Sequence, residues 1–593
     1  QIVTACSDGA IAALNAAEAY MIKLLKYFRA KDWILSVVIL GFIVCQVLLD
    51  LALPDYMGKI VDLIEQQGTI NEILIQGLKM LGIVAGSVLS TIIVSYLAAR
   101  VAAGFAKRVR RAVFTKINSF SMEEMEKFST ASLITRTTND ITQIQQVITM
   151  LLRMALSAPV MAIGAIVKIV GKSGTLSWIT AVAIILLLSI LILIFSLVSP
   201  KFKKMQKLTD KINGVTRENL TGIKVVRAYN AEKIQEEKFD KVNTELTKTD
   251  LFINRVFSIM TPGMQLIMGG LSLAIVWVGA YLIAGGSISL AVMTTFTQYA
   301  MKVIISFLML SVLFIMVPRG FVSGNRIYEV LKTENKIING TVTTSEEEGT
   351  IEFKNVSFKY PDSDDYVLKN ISFIVNKGET VAFIGSTGSG KSTLINLVPR
   401  FYDATEGEVL VDGINVKEYD LNSLYKKLGY VPQKSFLFSG TVEENIKYGD
   451  ENATEEQVNH ALKTAQASFV EKLEGGLNYP ISQGGKNVSG GQRQRLAIAR
   501  AIVKKPEIFV FDDSFSALDY KTDKALRKAL KKETAGATSL IVAQRIGTIM
   551  DANKIIVLDK GEMVGIGTHK ELMENCKIYQ EIAYSQLSKE ELA

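Results

Sequence analysis

Long apolar runs alternate with charged connections along the first half of the chain. Six runs stand out, Ile34 to Leu53, Met80 to Ala99, Ile148 to Gly171, Ile179 to Val198, Val256 to Ile283 and Ile288 to Val317. Each is near or above the ~20 residues that a helix needs to cross the hydrocarbon core of a bilayer. Connections are short after the first, third and fifth runs and long after the second and fourth. The long ones carry Lys107, Arg108, Arg110, Arg111 and Lys201, Lys203, Lys204, Lys207, whereas the first short one carries Asp55, Asp62 and Glu65. The positive-inside rule therefore predicts that the long loops, both termini and everything after Arg319 lie in the cytoplasm. These loops keep apolar periodicity ("TNDITQIQQVITMLL", "ENLTGIKVVRAYNAEKIQEEKFDKV"), which predicts helices that continue well beyond the membrane.

After Thr333 the pattern turns polar and turn-rich ("NGTVTTSEEEGT") and then alternates as strands do ("IEFKNVSFKY", "EVLVDGINV"). The expected architecture is a multidomain membrane protein. An extension over 1–20 precedes a six-helix all-α transmembrane domain over 21–325, with an elbow helix at 21–32 and long cytosolic helical extensions. A linker over 326–344 then leads to an α/β domain over 345–593. Composition agrees with this reading. A chain of 593 residues is too long for one core, and 49% hydrophobic residues place it in the membrane class. The net charge of +8 resides in loops between apolar spans, a membrane-loop pattern, so no nucleic-acid partner is expected. Cys6, Cys45 and Cys576 lie far apart and imply no disulfide framework. Residues 1–20 lack the basic and continuous apolar regions of a secretory signal.

The segment "VAFIGSTGSGKSTLINLV" is an apolar strand, a Gly-rich turn and a helix start. It matches G-x-x-x-x-G-K-[ST] through Gly385, Ser386, Thr387, Gly388, Ser389, Gly390, Lys391, Ser392 and Thr393. Glycines let backbone N–H groups close around phosphate, Lys391 adds a cation, and Ser392 offers a hydroxyl to Mg²⁺. A fortuitous Gly-rich turn would lack the flanking strand and helix. Further on, "EIFVFD" ends a second apolar strand in Asp512, an acid suited to holding Mg²⁺, with Asp513 beside it where a water-orienting group belongs. An acid at a strand end can equally cap a helix, but the upstream phosphate loop weakens that alternative.

The ordered set "FKYP", "GSTGSGKS", "YVPQ", "VSGGQ", "FVFDD", "SALD" and "IVAQRIGTI" resembles the nucleotide-binding domain, a P-loop ATPase, of ATP-binding cassette (ABC) transporters. With six spans ahead of it, the chain from 21 to about 585 resembles a half-transporter of the exporter type. The resemblance implies ATP and Mg²⁺ as cofactors, Tyr360 stacking on adenine, and Gln433 touching Mg²⁺ and the membrane domain. It also implies that Ser489, Gly490, Gly491 and Gln492 close over a nucleotide held by the opposite subunit, and that Asp519 lies in the loop crossing between the two sites. Stretches 120–127 and 228–235 would be coupling helices, the second docking on the partner chain.

Active members of that family usually carry Glu after the Mg²⁺ acid and His in the later switch segment, where this chain has Asp513 and Gln544. Asp is ~1.5 Å shorter than Glu, a misplacement that can cost ~100-fold in rate. The amide of Gln544 donates hydrogen bonds but cannot share a proton near neutral pH as imidazole does. Gln483 replaces an acid before the intact signature. These departures predict the degenerate-site subunit of a bacterial heterodimeric exporter of multidrug type, with a second half-transporter chain as partner in the cell membrane. The alternatives are a homodimer with two slow ATPase sites and an ATP-gated regulatory module. The expected substrate is an amphipathic or hydrophobic small molecule. Asp50, Arg153, Lys168 and Lys302 are candidates for lining its path or for structural pairing, and Pro159 and Pro262 for kinking helices. Met260, Met264, Met268, Met293 and Met301 are candidates for an adaptable wall or plain packing. The opening "QIVTACSDGAIAALNAAEAY" is similar to the tail of a thioredoxin-reductase-type flavoprotein; with no dinucleotide fold following, it implies no flavin site.

Overall fold

A computed structural model describes residues 23–361 and 363–587; the extension at 1–20 lies outside the described residues. The chain divides into two compact units, one of residues up to 118 together with 130–333, the other of 119–129 together with 334 onwards.

The first unit is helical. It comprises α1 (Ala30–Glu65), α2 (Ile70–Asn118), α4 (Thr130–Thr137), α5 (Asn139–Met150), α6 (Leu156–Val170), α7 (Gly174–Thr221), α8 (Ile223–Ala228), α9 (Glu232–Ala284) and α10 (Leu290–Lys332). Among the described residues, six helices or helix runs are long and apolar enough to cross a membrane. The 49 residues of α2 extend about 70 Å at the helical rise, over twice the ~30 Å hydrocarbon thickness. The expected helical extensions are thus continuous with the spans. Apolar stripes at helical spacing meet in one core: Ile39, Ile43 and Val47 of α1, Val94, Ala98 and Val101 of α2, and Phe296, Ala300 and Val303 of α10. Gly320 of α10 lets that helix approach α5, because an added Cβ would lie 2.8 Å from Val147.

Three details refine the expectations. Between α5 and α6 the helix widens into a π-turn, Leu151–Ala155. Pro159 has no N–H for the carbonyl four residues back, that of Ala155, so the irregularity falls where the regular ladder is already broken. Of the elbow expected at 21–32, the described part is a 3₁₀ turn, Leu25–Tyr27, ahead of α1. The Arg108 guanidinium pairs with Asp32 and donates to the Tyr27 carbonyl at 2.7 Å. Within the stretch 228–235, the short helix α8 ends at Ala228, residues 229–231 form a break, and α9 begins at Glu232. Asn230 has φ +50°, a left-handed conformation that Asn tolerates and that stops the helix there.

The second unit begins with α3 (Met122–Lys127) and continues with an antiparallel sheet in the order β2-β1-β4-β5. These strands are β1 (Ile351–Phe358), β2 (Leu368–Val375), β4 (Glu406–Val411) and β5 (Ile414–Asn415). Its main sheet runs β10-β9-β3-β8-β7-β6. This sheet comprises β3 (Thr380–Gly385), β6 (Leu428–Val431), β7 (Ile508–Asp512), β8 (Thr538–Val542), β9 (Lys554–Asp559) and β10 (Glu562–Gly567). It is parallel except for the edge pair β9–β10. Near-continuous apolar strands such as "IFVF" suit a sheet covered on both faces. Helices α11 (Lys391–Asn396), α12 (Gly490–Val503) and α13 (Tyr520–Glu533) follow strands or loops at its carboxyl edge. The chain is therefore a helical transmembrane domain followed by an α/β domain.

Lys427 joins the two sheets, its ammonium 2.8 Å from both the fully buried Asp412 and Glu507. Burial opposes its charge, but the two carboxylates outweigh that and push its pKa up to about 12. Lys427→Met strands the buried Asp412, and calorimetry should register a loss of ~3–5 kcal/mol. In the parent protein the pair's contribution should be complete below the unfolded lysine pKa of ~10.4 and vanish as pH rises through about 12.

Candidate functional site

Strands β3, β8 and β7 lie side by side, and the phosphate loop, Gln544 and the Asp512–Asp513 pair all leave their carboxyl ends. In the loop, Gly388 and Gly390 have φ +84° and +96°. A Cβ at Gly390 would lie 2.7 Å from Leu368 Cδ2 and 3.0 Å from the Val367 carbonyl. A Cβ at Gly385 would strike the Leu558 carbonyl. Glycine is thus required by space as well as by conformation.

Lys391 Nζ donates to the carbonyls of Gly385 (2.9 Å) and Ser386 (2.8 Å). Burial lowers its pKa against the pull of Asp513 and Asp512. Ser392 Oγ donates to Asp512 Oδ1 at 2.8 Å, joining the phosphate loop to the end of β7. Two hard oxygen donors in contact are the set that Mg²⁺ favours. Tyr360 is bonded to Thr393, hydroxyl to hydroxyl, at 3.0 Å, and its ring meets Phe358 and Tyr402 edge-on.

Asp512 and Asp513 are both buried. Burial raises both pKa values; the Ser392 bond and Lys391 oppose this at Asp512, and Gln433, Ser516 and Lys391 oppose it at Asp513. Asp513 stands in the left-handed region, φ +44°. Its N–H donates to the Val542 carbonyl (3.0 Å), and its own carbonyl accepts from Ser516 Oγ (3.0 Å) and Gln494 Nε2 (3.4 Å). Its carboxylate Oδ2 accepts from Gln544 Nε2 at 2.8 Å and from Gln433 Nε2 at 3.4 Å. Six expected residues (Lys391, Ser392, Gln433, Asp512, Asp513 and Gln544) are thereby gathered at one sheet edge.

The signature group stands apart. Ser489 caps α12: its Oγ accepts from Gln492 N–H (3.2 Å), and its N–H donates to Gln492 Oε1 (2.8 Å), a reciprocal capping box. Gly490 has open space around its Cα, while a Cβ at Gly491 would lie 3.2 Å from the Ala517 carbonyl. Asp519 caps α13 through Thr522 N–H (3.0 Å) and Thr522 Oγ1 (2.8 Å). Those bonds hold its pKa below the usual carboxylate value. Among the described residues, no hydrogen bond joins Ser489, Gly490, Gly491, Gln492 or Asp519 to the phosphate loop. Gln483 is exposed on a 3₁₀ turn.

Sequence reasoning missed Gln494, Ser514 and Ser516, which brace the backbone of the carboxylate pair; Ser514 Oγ donates to the Val431 carbonyl at 3.0 Å. Their proximity to "FVFDD" and "SGGQ" was the available signal. Of the membrane charges, Lys168 and Lys172 pair with Asp55 at 2.8 and 3.1 Å, and Asp50 accepts from Ser87 Oγ at 2.6 Å. Arg153 sits exposed in the π-turn and Lys302 is half-buried on α10. Met260, Met268 and Met293 lie partly buried against apolar clusters and Met264 is buried.

Residues 36–318 match the family described as ABC transporter transmembrane region, and 368–516 match ABC transporter. The chain is 39% identical over 545 residues to an ABC transporter ATP-binding protein of Mycobacterium tuberculosis, covering 91% of this chain and 94% of the relative. It is 36% identical over 558 residues to YfiB, an ABC transporter ATP-binding protein of Bacillus subtilis (94% and 97%). It is 31% identical over 576 residues to an ATP-dependent lipid A-core flippase of Hahella chejuensis (95% and 97%). The fold is similar to that of a bacterial Atm1-family ABC exporter solved with ATP bound, with TM-score 0.79, 24% identity and coverage of 94% and 98%.

Gly390→Ala should weaken equilibrium binding of a fluorescent ATP analogue by at least about tenfold, through left-handed strain and the Leu368 clash. Gly490→Ala, whose methyl meets nothing within this chain, should leave the affinity of the chain purified alone unchanged.

Proposed function

The chain belongs to the ABC transporter family, and from that premise we propose that it is the degenerate-site half of a heterodimeric exporter. It is an ABC-type ATPase subunit with a six-helix membrane domain of exporter fold. Such exporters work as dimers of half-transporters, and the choice between a like and an unlike partner is the present reading.

The observation that carries it is the Gln544 amide donating to Asp513 Oδ2 at 2.8 Å. Two effects oppose each other there. Burial raises the pKa of Asp513, which favours it as a base. Its reach is ~1.5 Å less than that of Glu, a misplacement that can cost ~100-fold, and the carboxylate oxygen is already tied to a side-chain amide that cannot exchange its proton near neutral pH. Reach and tethering outweigh basicity. The phosphate loop retains every group needed to hold ATP, with Lys391 for the phosphates and Ser392, Asp512 and Gln433 for Mg²⁺. When bound, that ion would neutralise phosphate charge. Tyr360 would stack on the adenine. Ser489, Gly490, Gly491 and Gln492, with Asp519 behind them, would complete the partner chain's site, the one that hydrolyses. ATP-driven closure of the two nucleotide domains would switch the membrane cavity from inward to outward facing.

The substrate class is amphipathic or hydrophobic, moved out across the cell membrane with both termini cytoplasmic. The lipid A-core flippase relatives and the basic long loops support this. The raised basicity of Asp513 favours one other reading, a homodimer with two slow sites.

Purified alone, the chain should bind ATP yet turn over about 100-fold more slowly than its mixture with the partner. Asp513→Glu combined with Gln544→His should raise the slow rate. Equal turnover by two unaltered copies of this chain would refute the heterodimer.

A further inference from the structure

Helix α3 belongs by packing to the nucleotide unit although it lies in sequence between membrane helices. Side-chain and backbone bonds attach it and its flanks. Tyr402 OH donates to Glu126 Oε1 at 2.7 Å. The Lys336 ammonium pairs with Glu123, its N–H donates to Glu124 Oε1 at 3.0 Å, and Asn335 Nδ2 donates to the Ser119 carbonyl at 2.6 Å. Three of these run to the backbone or side chains of 335–336 and fix α3 to the chain just past α10. The Tyr402 bond leads toward the phosphate loop.

The Tyr402 ring stands edge-on to Tyr360, centroids 5.4 Å apart at 87°, and tilted against Phe358 at 5.6 Å. The turn that carries it is rigid: Arg400, buried and at φ +54°, pairs with Asp403 at 2.8 Å and donates to the carbonyls of Ile338 (3.0 Å) and Lys417 (3.1 Å). Beside the rings opens a cleft of about 330 Å³, lined among others by Glu123, Lys336, Tyr360, Phe401, Tyr402 and Asp403. The backbone around Tyr402 is fixed, yet its ring and that of Tyr360 border free volume into which they can turn.

We propose that Tyr402 is a positioning residue that transmits the state of the Tyr360 ring to α3 through its hydroxyl bond to Glu126. This rests on Tyr360 being the adenine-stacking residue. A purine stacked on Tyr360 fixes a ring that otherwise shares its hydroxyl with Thr393. The edge of Tyr402, in contact with that ring, settles with it, and its hydroxyl carries the new position to Glu126. Stacking supplies the energy, the cleft the room, and the Arg400 turn the pivot.

The test uses the full-length transporter, with the half that copurifies, in lipid nanodiscs. Tyr402→Phe keeps the ring and removes only the hydroxyl. It should leave affinity for a fluorescent ATP analogue within about twofold, and reduce about fivefold the ATP-induced change in amide hydrogen exchange over Met122–Lys127, the scale of one half-exposed hydrogen bond to a charged acceptor. Glu126→Ala should do the same, Glu126→Gln, which retains an acceptor oxygen, should recover most of the response, and Tyr402→Phe with Glu126→Ala should be no worse than either alone. A wild-type exchange response in Tyr402→Phe, or additive losses in the double variant, would overturn the proposal. Tyr360→Ala separates the premise: it should weaken ATP binding about tenfold. Unchanged affinity there sinks the stacking assignment, whereas weakened affinity with a normal Tyr402→Phe response sinks the relay alone.

Discussion

The register of three parallel strands governs the nucleotide unit. Val542 of β8 pairs with Phe383 of β3 on one side and with Asp512 of β7 on the other. The phosphate loop, the carboxylate pair and Gln544 therefore leave the sheet at one level and one edge. Ligands of open α/β sheets gather at the carboxyl ends of strands for this reason. A slip of one residue would turn Asp512 to the opposite face of the sheet and separate it from Ser392. The apolar side chains that forbid the slip, Val510 and Phe511 of β7, Phe383 of β3 and Leu540 of β8, are buried in the unit's cores. Packing far from any phosphate is thus what places the polar groups.

Within that frame two buried carboxylates sit side by side. Their mutual repulsion and burial would favour protonation, and the structure offsets both with donors: Ser392 for one, Gln433 and Gln544 for the other. Gln544 has a structural consequence that a histidine would share only in one tautomer. An amide always presents N–H, so the tether to Asp513 survives any pH in the physiological range. The positive φ of Asp513 is held by bonds from both neighbouring elements, Val542 on β8 and Gln494 on α12. The backbone of this residue is over-determined, as strained positions at functional sites are.

Much of this was legible in the sequence, and the pattern of what was not is physical. The six spans follow from apolar run length, and the phosphate loop and Asp512 from strand–glycine–helix order, because these signals are local. Gln494, Ser514 and Ser516 escaped notice because their partners are backbone carbonyls, reached from a helix, across the sheet and within a tight turn respectively. The π-turn at 151–155 depends on how α5 and α6 pack, although Pro159 marked its neighbourhood. The break between α8 and α9 was not visible in the sequence, since the left-handed Asn230 that marks it shows only in the backbone. Four of the methionines have apolar neighbours within the helical unit, and Lys168, readable as path or pair, has Asp55 beside it.

The membership of α3 in the nucleotide unit draws these threads together. Residues 119–129 are covalently flanked by α2 and α4, both of the helical unit, so the chain enters and leaves the nucleotide unit within eleven residues. Glu124, buried, caps its own helix through Ser121 and accepts from the N–H of Lys336. Burial alone would raise its pKa, but these bonds outweigh it and keep the carboxyl below its usual value, hence ionised at neutral pH. A charged, buried, fully bonded anchor does not slide. Any displacement of the nucleotide unit must then carry α3 bodily and draw on the ends of α2 and α4.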